Sequence, residues 1–331
     1  MSSKTFALCS IMSLSAGMSI AEAPKVAVDI APVHSLVARV MEGVGTPDLI
    51  IPAGASPHEY NLRPSEAASL QNADVVFWVS ASLTPWMKNA IETLAEDAVV
   101  TELFEVEGTL KLPFRQGVLF EEHDDHDGHD DHDGHDDHEG HDDHEGHDDH
   151  EAHDDHEGHN HDGDDPHAWL SPDNAAVWLN AIAQTLSKVD PDNASQYYLN
   201  AAAGQKELRE LSTKINGILA PFEGRNFIVF HDAFQYFEKA FDFYAAGAIS
   251  LSDARDPSPA RIAKIQNRIN EQNISCILSE PQFNPNIVAA VASGSDVKMG
   301  ILDPLGVGLE LGETLYFQTL HNLAKALSDC L

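Results

Sequence analysis

Apolar residues arrive along this chain in two rhythms. Short β-rich runs at residues 25–30, 48–51 and 74–79 are separated by stretches whose apolar positions recur three and four residues apart. Val33, Leu36, Val37 and Val40 mark the first such stretch, residues 32–41. Pro64 and Ser65 open a second helix after a Pro-Gly-Ser loop, and residues 83–95 form a third. Strands alternating with helices at this pace predict a parallel α/β sheet. The alternation resumes late in the chain, with a strand at 226–230, a helix at 233–241 and a strand at 244–249. A helix opened by Ser258-Pro259 follows, then strand-like runs at 275–279 and 297–302 and a final helix over 312–327. Between the two halves lies a helical region from Pro172 to about Leu219, interrupted near Asp190-Pro191. Its second half is polar and alanine-rich, as suits a helix lying along the outside of two lobes. The fold class predicted is α/β, two Rossmann-like lobes joined by one long helix; a single α/β domain with a large insertion is the alternative.

Charge changes the picture at one place. The 331 residues carry 54 Asp+Glu and 19 Lys+Arg, a formal charge of −35, yet 23 of those acids and no base lie between Glu121 and Asp165. The remainder, 31 acids against 19 bases, is ordinary for a soluble protein. Without a basic face, nucleic acid is excluded as a partner, and 43% hydrophobic content excludes a wholly disordered chain. The acidic segment also holds 14 of the 19 His. From His123 it reads His-Asp-Asp-His-Asp/Glu-Gly six times, with Ala152 once replacing Gly. Its imidazoles are His123, His126, His129, His132, His135, His138, His141, His144, His147, His150, His153, His156, His159 and His161. A period of three does not match a helix, glycine recurs, and nothing apolar is available to bury, so the segment is expected to be disordered without metal. Imidazoles and carboxylates bind Zn²⁺, here at several sites weakened by ordering entropy. A collector or sensor of cations is the reading; a purely solubilising insert is the alternative.

The first residues read as a secretory signal. Lys4 precedes an uncharged, largely apolar run at 5–20, with small residues at Ala21 and Ala23. Cleavage after Ala23 would place Pro24 at the scissile bond, and cleavage after Ala21 competes with it. The run is Ser-rich and falls short of the roughly 20 apolar residues that span a bilayer. Bulky Leu8 argues against a lipid-anchored Cys9, so a soluble, exported, periplasmic protein without a membrane anchor is expected. Export leaves Cys276 and Cys330, and two cysteines in an oxidising compartment suggest a disulfide stapling the last helix to the sheet. Two separate buried thiols are the alternative. The expected organisation is a signal peptide at 1–23 and a first lobe at 24–171 that includes the insert at 121–165. A linking helical region at 172–220 and a second lobe at 221–331 complete it.

Ligands of open α/β sheets bind beyond the carboxyl ends of the strands. Four candidate metal ligands stand there or on a neighbouring loop. His58 lies in Gly54-Ala55-Ser56-Pro57-His58-Glu59-Tyr60, and His231 directly follows the predicted strand at 226–230. Asp303 follows the run at 297–302, and His167 stands in Asp165-Pro166-His167-Ala168-Trp169-Leu170. Outside the insert the exported chain has five His, and three of them are these. Three imidazoles with one carboxylate suit tetrahedral Zn²⁺, placed in a cleft between the lobes. His34, at the start of the first helix, is a packing residue or an aid to a second metal, and His321 in the last helix is structural. Glu280 is a candidate hydrogen-bond partner for a ligand His.

These motifs carry a resemblance. Pro57-His58-Glu59-Tyr60 with Leu62-Arg63-Pro64-Ser65, Asp165-Pro166-His167-Ala168-Trp169-Leu170-Ser171-Pro172, Glu280-Pro281-Gln282 and Asp303-Pro304-Leu305-Gly306 resemble the metal-binding solute-binding proteins of ABC importers. His231 and the His-rich insert before His167 place the resemblance nearest the zinc-uptake (ZnuA-like) branch, since manganese-binding members usually carry a carboxylate at the position of His231. The resemblance implies two lobes on a rigid long helix with one Zn²⁺ in the cleft; a monomer is expected, and the composition of the insert adds weaker ions there. It also implies delivery to an ABC permease, no catalysis, and ligand roles for His58, His167, His231 and Asp303. Some zinc-branch members carry Glu immediately before the first His, where Pro57 stands here, which leaves Asp303 or a water as fourth ligand. A Mn²⁺ or Fe²⁺ carrier of the same family is the alternative. A zinc hydrolase using Glu59 as base is the reading from another class, though no His-Glu-x-x-His or nucleophile elbow is present.

Overall fold

The computed structural model describes residues 22–115, 120, 163–250 and 257–331. The predicted signal segment, except its last two residues, and all the His-rich repeats lie outside the described residues. The first lobe is built from β1 (Val26–Val28), α1 (Ala31–Val40), β2 (Asp48–Leu49), α2 (Pro64–Gln71), β3 (Val75–Trp78), α3 (Pro85–Leu94) and β4 (Val99–Glu102). Its sheet is parallel throughout in the order β2-β1-β3-β4. β1 and β3 are the central strands, and their unbroken Val-Ala-Val and Val-Val-Phe-Trp runs are buried, as both faces of a parallel sheet require. The short, half-exposed edge strand β4 escapes the apolar pattern, because Val99 and Val100 are 46% and 42% exposed.

Two helices follow, α4 (Pro172–Val189) and α5 (Ala194–Leu219). At the interruption expected near Asp190-Pro191 the chain turns, and α5 runs back along α4 as an antiparallel hairpin. A Cβ added at Gly204 would stand 3.0 Å from a methyl of Leu179, so glycine permits this approach. α5 alone, at 26 residues, spans about 39 Å and makes the connection between lobes.

The second lobe comprises β5 (Phe227–His231), α6 (Gln235–Phe241), β6 (Ala248–Ser250), α7 (Pro259–Glu271), β7 (Cys276–Ser279), α8 (Pro285–Ala292), β8 (Lys298–Ile301) and α9 (Leu315–Cys330). Its parallel sheet has the order β6-β5-β7-β8, which repeats the pattern of the first. The strand predicted at 244–249 is reduced to β6, because Tyr244 is an exposed loop residue. Cys276 on β7 and Cys330 at the end of α9 form the disulfide, with Cα atoms 5.8 Å apart. Although α9 follows the second sheet, it also packs on α1 and α5, and Tyr316 donates its backbone N–H to Ser35 Oγ at 2.9 Å. The last helix is therefore stapled to one lobe and seated on the other.

Proline stands at the first or second position of α1, α2, α3, α4, α7 and α8. Its fixed φ and missing N–H suit a helix start. The strand-to-helix loops emerge on the side of each sheet that faces the cleft. Asp29, just past β1, sits beneath them, accepting from the amides of Ile30 (2.8 Å) and Val79 (2.7 Å).

Burial pushes the Asp29 carboxyl from an ordinary 3.8 up to about 7, against its amide bonds. The folded state then takes up a proton that the unfolded chain refuses, so stability rises as pH falls through 7. His34 acts in the opposite sense below 6.5. Burial lowers its pKa, Nε2 donates to Pro47 O at 3.0 Å and Nδ1 lacks a partner, so the unfolded chain gains that proton before the folded one. Metal-free protein should therefore melt at a higher temperature at pH 6.5 than at pH 8, and Asp29→Asn should reduce that rise, leaving the share of buried Asp165, whose pKa is likewise raised to about 7. Thermal denaturation in chelator checks both, and a melting temperature that falls over this interval contradicts the assignment.

Candidate metal centre

His231 is the last residue of β5, and Glu280 directly follows β7, the neighbouring strand. Adjacent parallel strands thus bring both side chains to one level at their carboxyl ends. Glu280 Oε1 accepts the Nδ1–H of His231 at 2.6 Å and its backbone N–H at 3.4 Å. The same device recurs at His167, where Asp165 Oδ1 accepts Nδ1–H at 2.7 Å and the backbone N–H at 2.9 Å. An ionised carboxylate only accepts, so each pair holds the imidazole proton on Nδ1 and leaves the Nε2 lone pair for the cleft. Both rings are buried. Burial raises the Asp165 carboxyl to about 7, opposed by its hydrogen bonds and the charge of Arg115.

His58 comes from the loop after β2. Trp86, at the start of α3, donates Nε1–H to Pro57 O at 2.9 Å, and the His58 amide donates to Ser56 Oγ at 3.3 Å. Tyr60 packs against the Trp86 ring and donates to Glu66 at 2.8 Å, which secures the other side of the loop. The three imidazoles converge. His58 Nε2 lies 3.3 Å from His167 Nε2, His231 Nε2 lies 3.4 Å from it, and all three ligand atoms lie within 4.8 Å of one another. Zn–N bonds of about 2.05 Å in a tetrahedron place two nitrogens roughly 3.3 Å apart. Two of the three edges already have that length.

Pro57, Trp169, Phe283, Pro304 and Leu305 form the apolar wall of this small pocket, which is partly open to solvent. Trp169 is fixed by donating Nε1–H to Pro304 O at 3.0 Å, and Tyr316 donates to Trp169 O at 2.7 Å. Gln282, also in the wall, reaches across from the second lobe to Ala53 O at 3.3 Å. An apolar wall strengthens the attraction between a cation and the imidazole nitrogens that replace its hydration.

The four residues singled out from the sequence do not all meet. His58, His167 and His231 form the cluster, whereas Asp303 lies outside it with both oxygens engaged. Its Oδ1 accepts from the amides of Leu305 (3.0 Å) and Gly306 (3.1 Å), and its Oδ2 from Val307 (2.5 Å). Gly306 has φ +74°, and a Cβ there would meet Thr319 Oγ1 at 2.7 Å, so the turn that wraps this carboxylate requires glycine. His34 is buried in α1 and His321 lies in α9, both apart from the cluster. Glu59 is exposed and absent from the pocket wall. The auxiliary imidazoles, His123 to His161, lie outside the described residues, but their stem does not. Pro113 pairs antiparallel with Asp164, and Asp165 donates its amide to Leu112 O at 2.7 Å, so the insert leaves and returns beside His167. The roles of Asp165 and Trp86 are missing from the sequence reading. Asp165 stands two residues before His167, a spacing suited to an Asx turn, whereas Trp86 leaves no local signal.

The protein family described as zinc-uptake complex component A, periplasmic, matches residues 26–330. The high-affinity zinc uptake system protein ZnuA of Brucella abortus (strain 2308) is 46% identical over 316 residues, covering 95% of this chain and 94% of that protein. The protein of the same name from Paracoccus denitrificans (strain Pd 1222) is 46% identical over 312 residues, covering 94% and 93%. A crystal structure of ZnuA has the same fold, with a TM-score of 0.70 at 21% identity over 93% of this chain and 99% of that one.

The carboxylate–imidazole pairs lead to a measurable expectation. Glu280→Gln should weaken zinc binding about tenfold and Glu280→Ala up to about 100-fold, read by chelator competition. Below pH 7, cation binding favours ionised Asp165 and must expel its proton, so affinity falls with pH more steeply than imidazole protonation alone requires. Calorimetry at pH 6 in buffers of different ionisation heat should record about one proton fewer released by Asp165→Asn. An unchanged proton count places the titration elsewhere.

Proposed function

The chain belongs to the ZnuA family of periplasmic zinc-uptake components, and we propose that it captures Zn²⁺ in the periplasm and hands it to an ABC import permease. The observation that carries this is the convergence of three imidazole Nε2 atoms at zinc-ligand spacing. His58, His167 and His231 are the ligands, and the fourth position is taken by Asp303 or by a water. His58 and His167 belong to the first lobe and its insert stem, His231 to the second, so the ion ties the lobes together. Release to the permease then needs only a movement that withdraws one lobe's nitrogens. The ZnuA proteins of Brucella and Paracoccus, high-affinity zinc uptake proteins by name, support the choice of metal.

Residues 1–23 serve as the export signal, cleaved after Ala21 or Ala23, and the exported protein acts as a monomer. Among the described residues no helix is long and apolar enough to cross a membrane. The insert collects further, more weakly held zinc ions and delivers them beside His167, where its stem ends. A Mn²⁺ or Fe²⁺ carrier is disfavoured by the nitrogen-rich ligand set, because harder ions prefer oxygen. For a hydrolase, Glu59 would have to face the ion as general base, and its exposed side chain lies off the pocket wall.

Zinc titration of the full chain against a competing chelator tests the proposal. Wild type should bind one ion tightly and several weakly. His58→Ala, His167→Ala and His231→Ala should each lose the tight ion, by 100-fold or more in affinity, and deletion of residues 121–162 should lose only the weak ones. Asp303→Ala separates a carboxylate ligand, with a comparable loss, from a water, with little. A tight ion that survives His231→Ala, or equal stoichiometry with and without the insert, contradicts the corresponding half of the proposal.

A further inference from the structure

Arg115 stands two residues after Pro113, on the stem that leads into the insert, and its guanidinium crosses to the second lobe. Nε donates to both oxygens of Asp232, at 3.0 and 3.1 Å, and Nη2 also donates to Asp232 Oδ1. Nη1 donates to Glu238 Oε2 at 2.6 Å and Nη2 to Glu238 Oε1 at 3.2 Å. The side chains of Asp232 and Glu238 are 6% and 1% exposed, and that of Arg115 is 17% exposed. Two nearly buried carboxylates thus share one cation. Burial opposes the guanidinium charge, and Glu238 and Asp232 more than offset it, so the charge persists at any working pH.

The position of this cluster gives it a role beyond charge balance. Asp232 is the residue after His231. The segment carrying Arg115 is laddered to the one carrying Asp165 and His167, through Asp165 N–H to Leu112 O (2.7 Å) and Phe114 N–H to Gly163 O (3.3 Å). α6 braces the same ladder. Tyr236 donates to Asp165 O at 2.7 Å and accepts from Leu112 N–H at 3.0 Å, while Gln235 donates to Pro113 O at 3.1 Å and Asp165 Oδ2 at 3.2 Å. Between the two imidazoles runs a continuous path: His167, Asp165, the stem, Arg115, Asp232, His231.

Resting on the zinc site proposed above, we infer that Arg115 is a positioning residue that sets the separation of His167 and His231 by clamping the insert stem onto the second lobe. A planar fork bridges two carboxylates in fixed geometry, and a lysine ammonium, a point charge on a flexible stem, does not. Charge balance and positioning therefore separate experimentally. Arg115→Lys keeps the charge and loses the fork; Arg115→Met loses both.

The test uses the full chain with Zn²⁺ in chelator competition, and one equivalent of Co²⁺, whose visible bands are intense only in four-coordinate sites. Arg115→Lys should melt close to wild type yet bind the tight zinc ion about tenfold more weakly, with altered Co²⁺ bands. Arg115→Met should lose about 100-fold, as when a group orienting a ligand is removed. If Arg115→Met fails to fold, Asp232→Asn replaces it and should give the same spectral change. Wild-type zinc affinity and Co²⁺ bands in Arg115→Lys, whatever its melting temperature, overturn the positioning role. His231→Ala serves as the control. Loss of the tight ion there with unchanged Arg115→Lys removes only this inference, whereas a tight ion retained there removes the zinc site and this inference with it.

Discussion

The structure of the site depends on two buried carboxylate–imidazole hydrogen bonds, Asp165 to His167 and Glu280 to His231. A buried imidazole free to choose its tautomer presents either N–H or a lone pair to a cavity. Here each carboxylate holds the proton on Nδ1 and keeps Nε2 available. The cost is burying anionic groups, visible in the raised pKa of Asp165. That cost is offset when a cation arrives, because the charge of the ion stabilises both carboxylates through the rings between them. The centre is thus arranged for an occupant of positive charge, and its tautomers are set before that occupant binds.

The rest of the fold supplies this arrangement with positions. Two parallel sheets of like strand order direct their carboxyl ends toward one cleft, and the α5 connection and α9 hold the sheets in place. His231 and Glu280 meet because β5 and β7 are neighbours. His58 depends on a loop propped by Trp86, and His167 on the stem of the insert. The strongest negative charge of the chain, the insert, therefore begins and ends beside the three-imidazole cluster.

Much of this was legible in the sequence. Alternating apolar runs disclosed both sheets, and imidazoles scarce outside the insert stood out at the strand ends. Glu280 and the Cys276–Cys330 pair were also within reach. What stayed hidden was long-range. Arg115 meets Asp232 and Glu238 across 117 and 123 residues, and no local pattern joins them. The interruption of the linking helical region is legible at Asp190-Pro191, but the antiparallel return of α5 along α4 is not, because a break does not give its direction. β4 and α8 were missed because one is short and half-exposed and the other presents few buried positions. Asp303 shows a different gap: its place at a strand end is legible, whereas the three amides of its own turn that its oxygens accept are not.

The central claim, that three neutral imidazoles from two lobes bind one zinc ion, has a direct test in X-ray absorption at the zinc edge. The sample is protein lacking residues 121–162, loaded with one equivalent of Zn²⁺. The account predicts four light scatterers at about 2.0 Å with the multiple scattering of three imidazoles. A six-coordinate, oxygen-only shell, or one in which fewer than two imidazoles are seen, would contradict it.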